Sequence, residues 1–388
     1  MYKYIFELGQ NPTLSVAELT SLLGESFLFE SHDKTAIFEL EKEINPQKFQ
    51  DLLGGTIKIM EVVGEIPYPN EKDEELTIYL SKALENAFSD EYFDKNKIDF
   101  GISIFNLRNR RSINSKTLLK NFKLFLKNSL NTSSRFVNIG FENPKTATVY
   151  KADLARKGLD INIVGCSKNI LIAKGVSIQN IDAYRFRDYE KPARDARIGM
   201  LPPKLAQILI NLAGKDANTI FDPFCGTGTI LYEGLLMGKK VYGSDLNPEM
   251  VKAAKINCQF IEQKFSTKPA AKIFQKDATL LSQSDLGEKM DAIVTEGFLG
   301  PAISKSPNPD RAKENYKEIK RLYVSWLNAA KKYTKKDGKI VFCIPDYSKT
   351  IKSPVDEIVS ESEIILIDKF LYKRADQIVG RLICITQV

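Results

Sequence analysis

The sequence holds a single histidine, His32, among 388 residues. That leaves no material for a His-based triad or a His-rich metal cluster. Five cysteines occur, Cys166, Cys225, Cys258, Cys343 and Cys384, none in Cys-x-x-Cys spacing. Neither a disulfide framework nor a zinc site is expected from them, and no metal is. No apolar run approaches the length of a membrane span, and Met1-Tyr2-Lys3-Tyr4-Ile5-Phe6-Glu7 carries no signal-peptide pattern. The expectation is a cytoplasmic protein with no membrane partner, whose chemistry comes from carboxylates, backbone groups and a cofactor.

What is present fits a soluble chain of more than one domain: 43% hydrophobic and 27% charged residues over a length that can bury more than one core. The net charge of +7 is unevenly spread. Between Lys95 and Lys157 there are 14 Lys/Arg against three acids, Asp99, Glu142 and Asp153, a local excess of +11 that leaves the rest of the chain at −4. A basic charge concentrated in one region is the footprint expected of nucleic-acid contact.

The chain is organised around Thr219-Ile220-Phe221-Asp222-Pro223-Phe224-Cys225-Gly226-Thr227-Gly228-Thr229-Ile230. A short apolar strand runs into an acid, a Gly-x-Gly turn and the apolar start of a helix. Glycines let backbone pass close to a ligand, and the helix N-terminus behind them presents N–H groups. A second strand, Lys240 to Asp245, ends in an acid about 20 residues after the first glycine, where such folds hold ribose hydroxyls. A third, Lys272 to Gln275, leads to Asp277. No Gly-Lys-Ser/Thr follows the turn, so it is not a P-loop. The reading is an adenosine-type cofactor.

Upstream, residues 1–64 read strand, helix, strand, strand, helix, strand, a ferredoxin-like order. A polar, Pro-containing stretch from Pro67 to Glu74 marks a boundary. Beyond it come helices near 76–88, 116–130 and 149–157, and strands at 98–105, near 136, 160–164 and 170–174. In the 116–130 helix Leu118, Phe122, Phe125 and Leu126 share one face. Lys116, Lys120, Lys123 and Lys127 share another, with no acids interleaved for pairing. That stripe is a candidate for RNA contact; its plainer reading is a solvated helix face.

Asp-Pro-Phe-Cys-Gly-Thr-Gly resembles the S-adenosylmethionine loop of Rossmann-fold methyltransferases. The order of elements ahead of it resembles a THUMP domain, an RNA-binding module of tRNA-modifying enzymes. The segment Tyr184-Arg185-Phe186-Arg187-Asp188-Tyr189-Glu190-Lys191-Pro192-Ala193-Arg194-Asp195, then Ile198-Gly199-Met200-Leu201-Pro202-Pro203-Lys204-Leu205-Ala206, looks like the linker and catalytic entry of THUMP-containing tRNA guanine-N2 methyltransferases of the guanosine-10 type. Tyr372 to Arg381 also looks like that family. The resemblance implies an α/β fold: a Rossmann methyltransferase with a seven-stranded, mostly parallel sheet, preceded by ferredoxin-like and THUMP-type α+β domains. The expected divisions are 1–64, 65–180, a linker at 181–200 and a catalytic domain at 201–388. It implies S-adenosylmethionine held by Asp222, Phe224, Gly226, Gly228, Asp245, Leu246, Asp277 and Ala278. It implies tRNA as partner and leaves a small activator subunit open.

The expected chemistry lies after the fourth strand, Met290 to Thr295. Amino-methyltransferases carry Asp/Asn-Pro-Pro-Tyr there, whose acceptors draw the lone pair of the target amine out of conjugation. This chain has Thr295-Glu296-Gly297-Phe298-Leu299-Gly300-Pro301. An ungapped match puts Glu296 at the acid, Gly297 and Phe298 at the prolines and Leu299 at the aromatic. Glu296 keeps a carboxylate, Gly297 keeps a carbonyl, and Phe298 offers a stacking face one position early, in a geometry that a glycine is expected to loosen. Cys225, in the cofactor loop, is not a candidate nucleophile. Methylation of a guanine exocyclic amine in tRNA is the expected activity. A DNA adenine-N6 methyltransferase, and an RNA-binding protein that holds the cofactor beside a degenerate loop, are the alternatives.

Overall fold

The computed structural model describes residues 1–69, 76–91, 97–193, 201–267, 270–301, 307–347, 351–374 and 377–388. Asn70 to Glu74 of the polar boundary, Arg194 to Met200 of the linker, and Ala375-Asp376 lie outside the described residues. The chain divides into two compact units, Met1–Val16 with Leu23–Ile181, and Ala17–Leu22 with Asp182–Val388.

The first half contains β1 (Tyr2–Leu8), α1 (Pro12–Leu23), β2 (Leu28–Ser31), β3 (Thr35–Leu40), α2 (Pro46–Leu52), β4 (Thr56–Pro67), α3 (Leu76–Ala87), β5 (Lys97–Phe105), α4 (Ser115–Asn128), β6 (Ser133–Phe136), α5 (Thr146–Lys151), α6 (Leu154–Lys157), β7 (Leu159–Gly165) and β8 (Asn169–Ile178). The strands form one eight-stranded sheet in the order β2-β3-β1-β4-β8-β7-β5-β6. The boundary expected near residue 65 therefore falls inside β4, which pairs with β8 from Lys58–Ile178 to Pro67–Asn169. The sheet is stitched at the junction by Lys58, whose Nζ donates to both Asp160 oxygens and to Asn162 Oδ1, at 3.2, 2.9 and 2.6 Å.

Asn-Pro pairs start several helices for one physical reason: Asn accepts an orphan N–H while Pro needs none. Asn45 and Asn247 cap Lys48 N and Glu249 N, at 3.0 and 2.9 Å. The α4 helix begins at a further cap, Asn114, and buries Leu118, Leu119, Phe122 and Leu126 against α3 and the sheet, with Phe125 half-buried. Lys116, Lys120, Lys123 and Lys127 are exposed. The helix expected over 149–157 is two short helices, because Asp153 turns left-handed, φ +51°, between them.

The second half contains α7 (Ile181–Tyr189), α8 (Pro203–Leu212), β9 (Thr219–Asp222), α9 (Thr229–Leu236), β10 (Lys240–Asp245), α10 (Pro248–Phe265), β11 (Ala271–Gln275), α11 (Gln283–Leu286), β12 (Met290–Val294), α12 (Pro309–Tyr333), β13 (Thr334–Asp346), α13 (Val355–Glu361), β14 (Ile365–Tyr372) and β15 (Gly380–Gln387). The sheet order is β11-β10-β9-β12-β13-β15-β14, parallel from β11 to β13, with β15 antiparallel to both neighbours. This is the seven-stranded, mostly parallel sheet expected. Successive strands run outward from β9 to β11 on one side, and the chain returns to β12 on the other. The switch point thus lies at the C-terminal ends of β9 and β12, where doubly wound sheets bind ligands.

The start of the expected linker is helical. In α7, Arg187 is buried and its Nε donates to Glu233 Oε1 of α9 at 2.7 Å, with its guanidinium over the Tyr184 ring. Burial pushes the Glu233 carboxyl up to about 7 against the pull of Arg187.

Candidate active site

Asp222 ends β9 with only 3% of its surface exposed. It accepts from Phe224 N at 3.1 Å and from the Thr295 side chain. Burial pushes its carboxyl up from the ordinary value of 3.8 to about 7, against those two hydrogen bonds. The chain then turns through Gly226 and Gly228, both left-handed at φ +50° and +86°. A Cβ on Gly226 would meet nothing within 4 Å, whereas one on Gly228 would press on Ala254 of α10 at 3.1 Å. The first glycine therefore leaves open space in front of the turn, and the second lets the turn sit against a helix.

Asp245, at the end of β10, braces this turn. Its Oδ2 accepts from Gly226 N and its Oδ1 from Asn247 N, both at 2.9 Å. Lys276 N donates to the Asp245 carbonyl at 3.1 Å, tying the end of β10 to the approach to Asp277. Asp277 Oδ1 accepts from Thr279 N and Oγ1 at 2.8 and 2.7 Å. Leu246 is 67% exposed beside Asp245, and Ala278 is buried, so at that second position only backbone is offered. Asp222, Asp245 and Asp277 thus stand at the ends of β9, β10 and just past β11, with glycine backbone between the first two. That arrangement fits a nucleoside with ribose hydroxyls to donate and a ring edge to be met.

Cys225 is buried behind the turn, and burial pushes its thiol well above the ordinary range, as befits a packing residue rather than a nucleophile. Asn257 of α10, fully buried, holds the turn from behind: its Nδ2 donates to Thr227 O at 2.8 Å and Ala193 O at 2.9 Å, and its Oδ1 accepts from Ala193 N at 3.0 Å.

The loop after β12 is joined to the same cluster. Gly297 N donates to Thr295 Oγ1 at 3.0 Å, and Thr295 bonds to Asp222. Glu296 Oε1 accepts from Arg381 Nε of β15, with side-chain exposures of 18% and 7%. Burial pushes the Glu296 carboxyl up while Arg381 opposes it. Burial would lower the Arg381 guanidinium, but Glu296 beside it holds it up.

Gly297 has φ +72°. Proline, fixed near −65°, cannot adopt that conformation, so the loop does not follow the Pro-Pro backbone that the ungapped match assumes. Nor is the glycine a loosening element. A Cβ there would lie 2.0 Å from Tyr323 Oη, whose single O–H is shared between the carbonyls of Cys343 at 2.9 Å and Phe298 at 3.3 Å. Tyr323, on α12, is fully buried and lies nearly parallel to and offset from Phe224, with ring centroids 6.4 Å apart, so one ring supports both the glycine turn and the loop. Phe298 packs in part against the core around Tyr323 and Trp326.

Arg381, Tyr323, Thr295 and Asn257 were not singled out by sequence reasoning for these tasks. The available signal for Arg381 was an arginine within an apolar strand of the closing hairpin.

A model of the RMKL-like methyltransferase domain matches residues 191–361. A tRNA (guanine(10)-N2)-dimethyltransferase of Methanothermobacter thermautotrophicus is 35% identical over 166 residues, covering 42% of this chain and 44% of that one. A probable enzyme of the same name from Methanothermococcus thermolithotrophicus is 34% identical over 144 residues, covering 36% of this chain and 78% of that one. Apart from the latter, the chain spans about half the length of the relatives of that name that it matches. The crystal structure of TrmN from Thermus thermophilus covers the whole of both chains with a TM-score of 0.54 at 12% identity, a likeness of fold. With more than two thirds of the Methanothermococcus relative matched at 34% identity, the chain belongs to the family of these tRNA (guanine(10)-N2)-dimethyltransferases, with an RMKL-like methyltransferase domain matched over residues 191–361.

Proposed function

We propose that the protein is an S-adenosylmethionine-dependent RNA methyltransferase acting on the exocyclic N2 amine of a guanosine in tRNA. The cofactor, when bound, supplies an electrophilic sulfonium methyl group. Asp245 accepts from the ribose hydroxyls, Asp277 and the backbone of Ala278 meet the adenine edge, and Gly226 gives the room in between while Gly228 lets the turn close against α10.

The observation that carries the reading is at Glu296. One carboxylate oxygen is held by Arg381, and among the described residues the other has no hydrogen-bond donor; nor has the Gly297 carbonyl. Two acceptors at the end of β12, next to the switch point, match the two hydrogens of a primary amine. Bonds to both turn the nitrogen lone pair out of the purine ring. With the methyl group supplied by the cofactor, whose sulfur would keep the electrons of the broken S–C bond, the amine nitrogen would shed a proton to Glu296 or through it to water.

The relatives' names and the exposed lysines of α4 support tRNA as the substrate, with Lys116, Lys120, Lys123 and Lys127 meeting phosphates. A THUMP-type role for the first unit and a cytoplasmic location belong to the same proposal; among the described residues no helix is long and apolar enough to cross a membrane. A second reading is DNA adenine methylation, favoured by 43% identity over 61 residues to the type II methyltransferase M.MvaI of Kocuria varians. Labelled methyl transfer to unmodified tRNA and to DNA, followed by nucleoside mass spectrometry, tests both. N2-methylguanosine in tRNA is expected, and N6-methyladenine in DNA would favour the second.

A further inference from the structure

Arg381 stands on β15, opposite Pro345 of β13 and Tyr372 of β14, and is 6% exposed. A charged side chain so placed needs a partner, and among the described residues Glu296 is the carboxylate it pairs with. The other titratable groups around Glu296 come from four further elements: Asp222 on β9, Tyr323 on α12, Cys343 on β13 and, beside Arg381, Tyr372 on β14. None of these is a cation. Arg381 alone among them opposes the protonation that burial imposes on Glu296.

The geometry of contact matters as much as the charge. A guanidinium often grips both oxygens of a carboxylate in a parallel fork. Here only the Nε–Oε1 bond forms, and Oε2 is left without a donor among the described residues. We infer that Arg381 is a positioning residue: it keeps Glu296 ionised and held by one oxygen, so that the other is presented to an N–H of the target amine. The inference rests on the reading of Glu296 as that acceptor. It also explains a buried arginine on a closing strand of the sheet, a place where an apolar residue would pack without desolvating a charge.

The test follows the Glu296 carboxyl and the reaction separately, in the full-length protein. Infrared difference titration, with the Glu296 band assigned by its loss in Glu296→Gln, is run on wild type, Arg381→Gln and Arg381→Lys. In parallel, single-turnover methyl transfer to unmodified tRNA is measured against pH. Wild type should show an ionised carboxylate at neutral pH. Arg381→Gln should show a protonated carboxyl there, transfer at least tenfold more slowly, recover part of the rate as pH rises, and bind the cofactor as tightly as wild type. Arg381→Lys retains a cation and should keep the carboxylate ionised with an intermediate rate, which covers the case in which Arg381→Gln folds poorly. Identical infrared titrations for wild type and a folded Arg381→Gln would overturn the inference. An infrared shift without any methyl transfer by wild type would instead overturn the reading of Glu296 on which it rests.

Discussion

Gly297→Ala should damage the loop by an amount that the structure allows to be worked out. An alanine at φ +72° enters the left-handed region at about 1–2 kcal/mol. Its Cβ, 2.0 Å from Tyr323 Oη, then has to push that hydroxyl off the carbonyls of Cys343 and Phe298. The hydroxyl has one proton to share between them, so the loss is that of one net hydrogen bond, about 0.5–1.5 kcal/mol. With the strain, the sum is about 1.5–3.5 kcal/mol, or a fall of about 3–14 °C in the unfolding midpoint of a unit this size. Tyr323→Phe removes the obstructing oxygen, leaving Cζ at 3.0 Å as the next contact. The double variant Gly297→Ala/Tyr323→Phe should therefore melt above Gly297→Ala, although Tyr323→Phe alone melts below wild type. Calorimetric scans of the four proteins make the comparison. A Gly297→Ala protein that melts with wild type, or two losses that simply add, would refute the reasoning.

Asp245→Ala should weaken S-adenosylmethionine at least tenfold in titration calorimetry, since charge-assisted bonds to ribose hydroxyls are worth about 1.5–3 kcal/mol each; unchanged affinity in a folded variant removes the assignment. If the α4 lysines meet phosphates, each one lost should lower the log–log salt slope of tRNA binding by about 0.7–0.9; equal slopes for wild type and the quadruple Lys→Gln variant would return the stripe to a solvated face. Asp222, with its folded-state carboxyl raised to about 7 by burial, keeps a proton that the unfolded chain has lost. Its contribution to stability is present below about pH 4 and lost as pH rises to about 7. Asp222→Asn should remove that part of the decline in unfolding midpoint and leave the smaller part due to Glu233; an unchanged pH profile would argue that Asp222 is ionised throughout.

The part of the candidate site around the glycine turn was legible because its information is local. An acid at the end of an apolar strand, glycines at fixed spacing behind it, and two further strand-end acids place Asp222, Gly226, Gly228, Asp245 and Asp277 without any knowledge of distant contacts. The loop after β12 was legible only as a set of parts. What makes Gly297 necessary is a tyrosine on α12, and what holds Glu296 is an arginine 85 residues away, neither of which a local pattern can report. The same limit applies to the first half, where most strands and helices lie close to where alternation and helical spacing put them. The length of β4 was concealed by the polar, Pro-containing stretch read as a boundary from Pro67, although Pro67 is simply the last residue of the strand.

The most direct test of the account is single-turnover transfer of labelled methyl groups to unmodified tRNA by wild type and Glu296→Gln. The substitution keeps the shape and one acceptor oxygen but removes the charge. It should slow transfer about a hundredfold to a thousandfold while leaving cofactor and tRNA binding nearly unchanged. Equal rates would show that methylation proceeds without this carboxylate, and the central claim would be wrong.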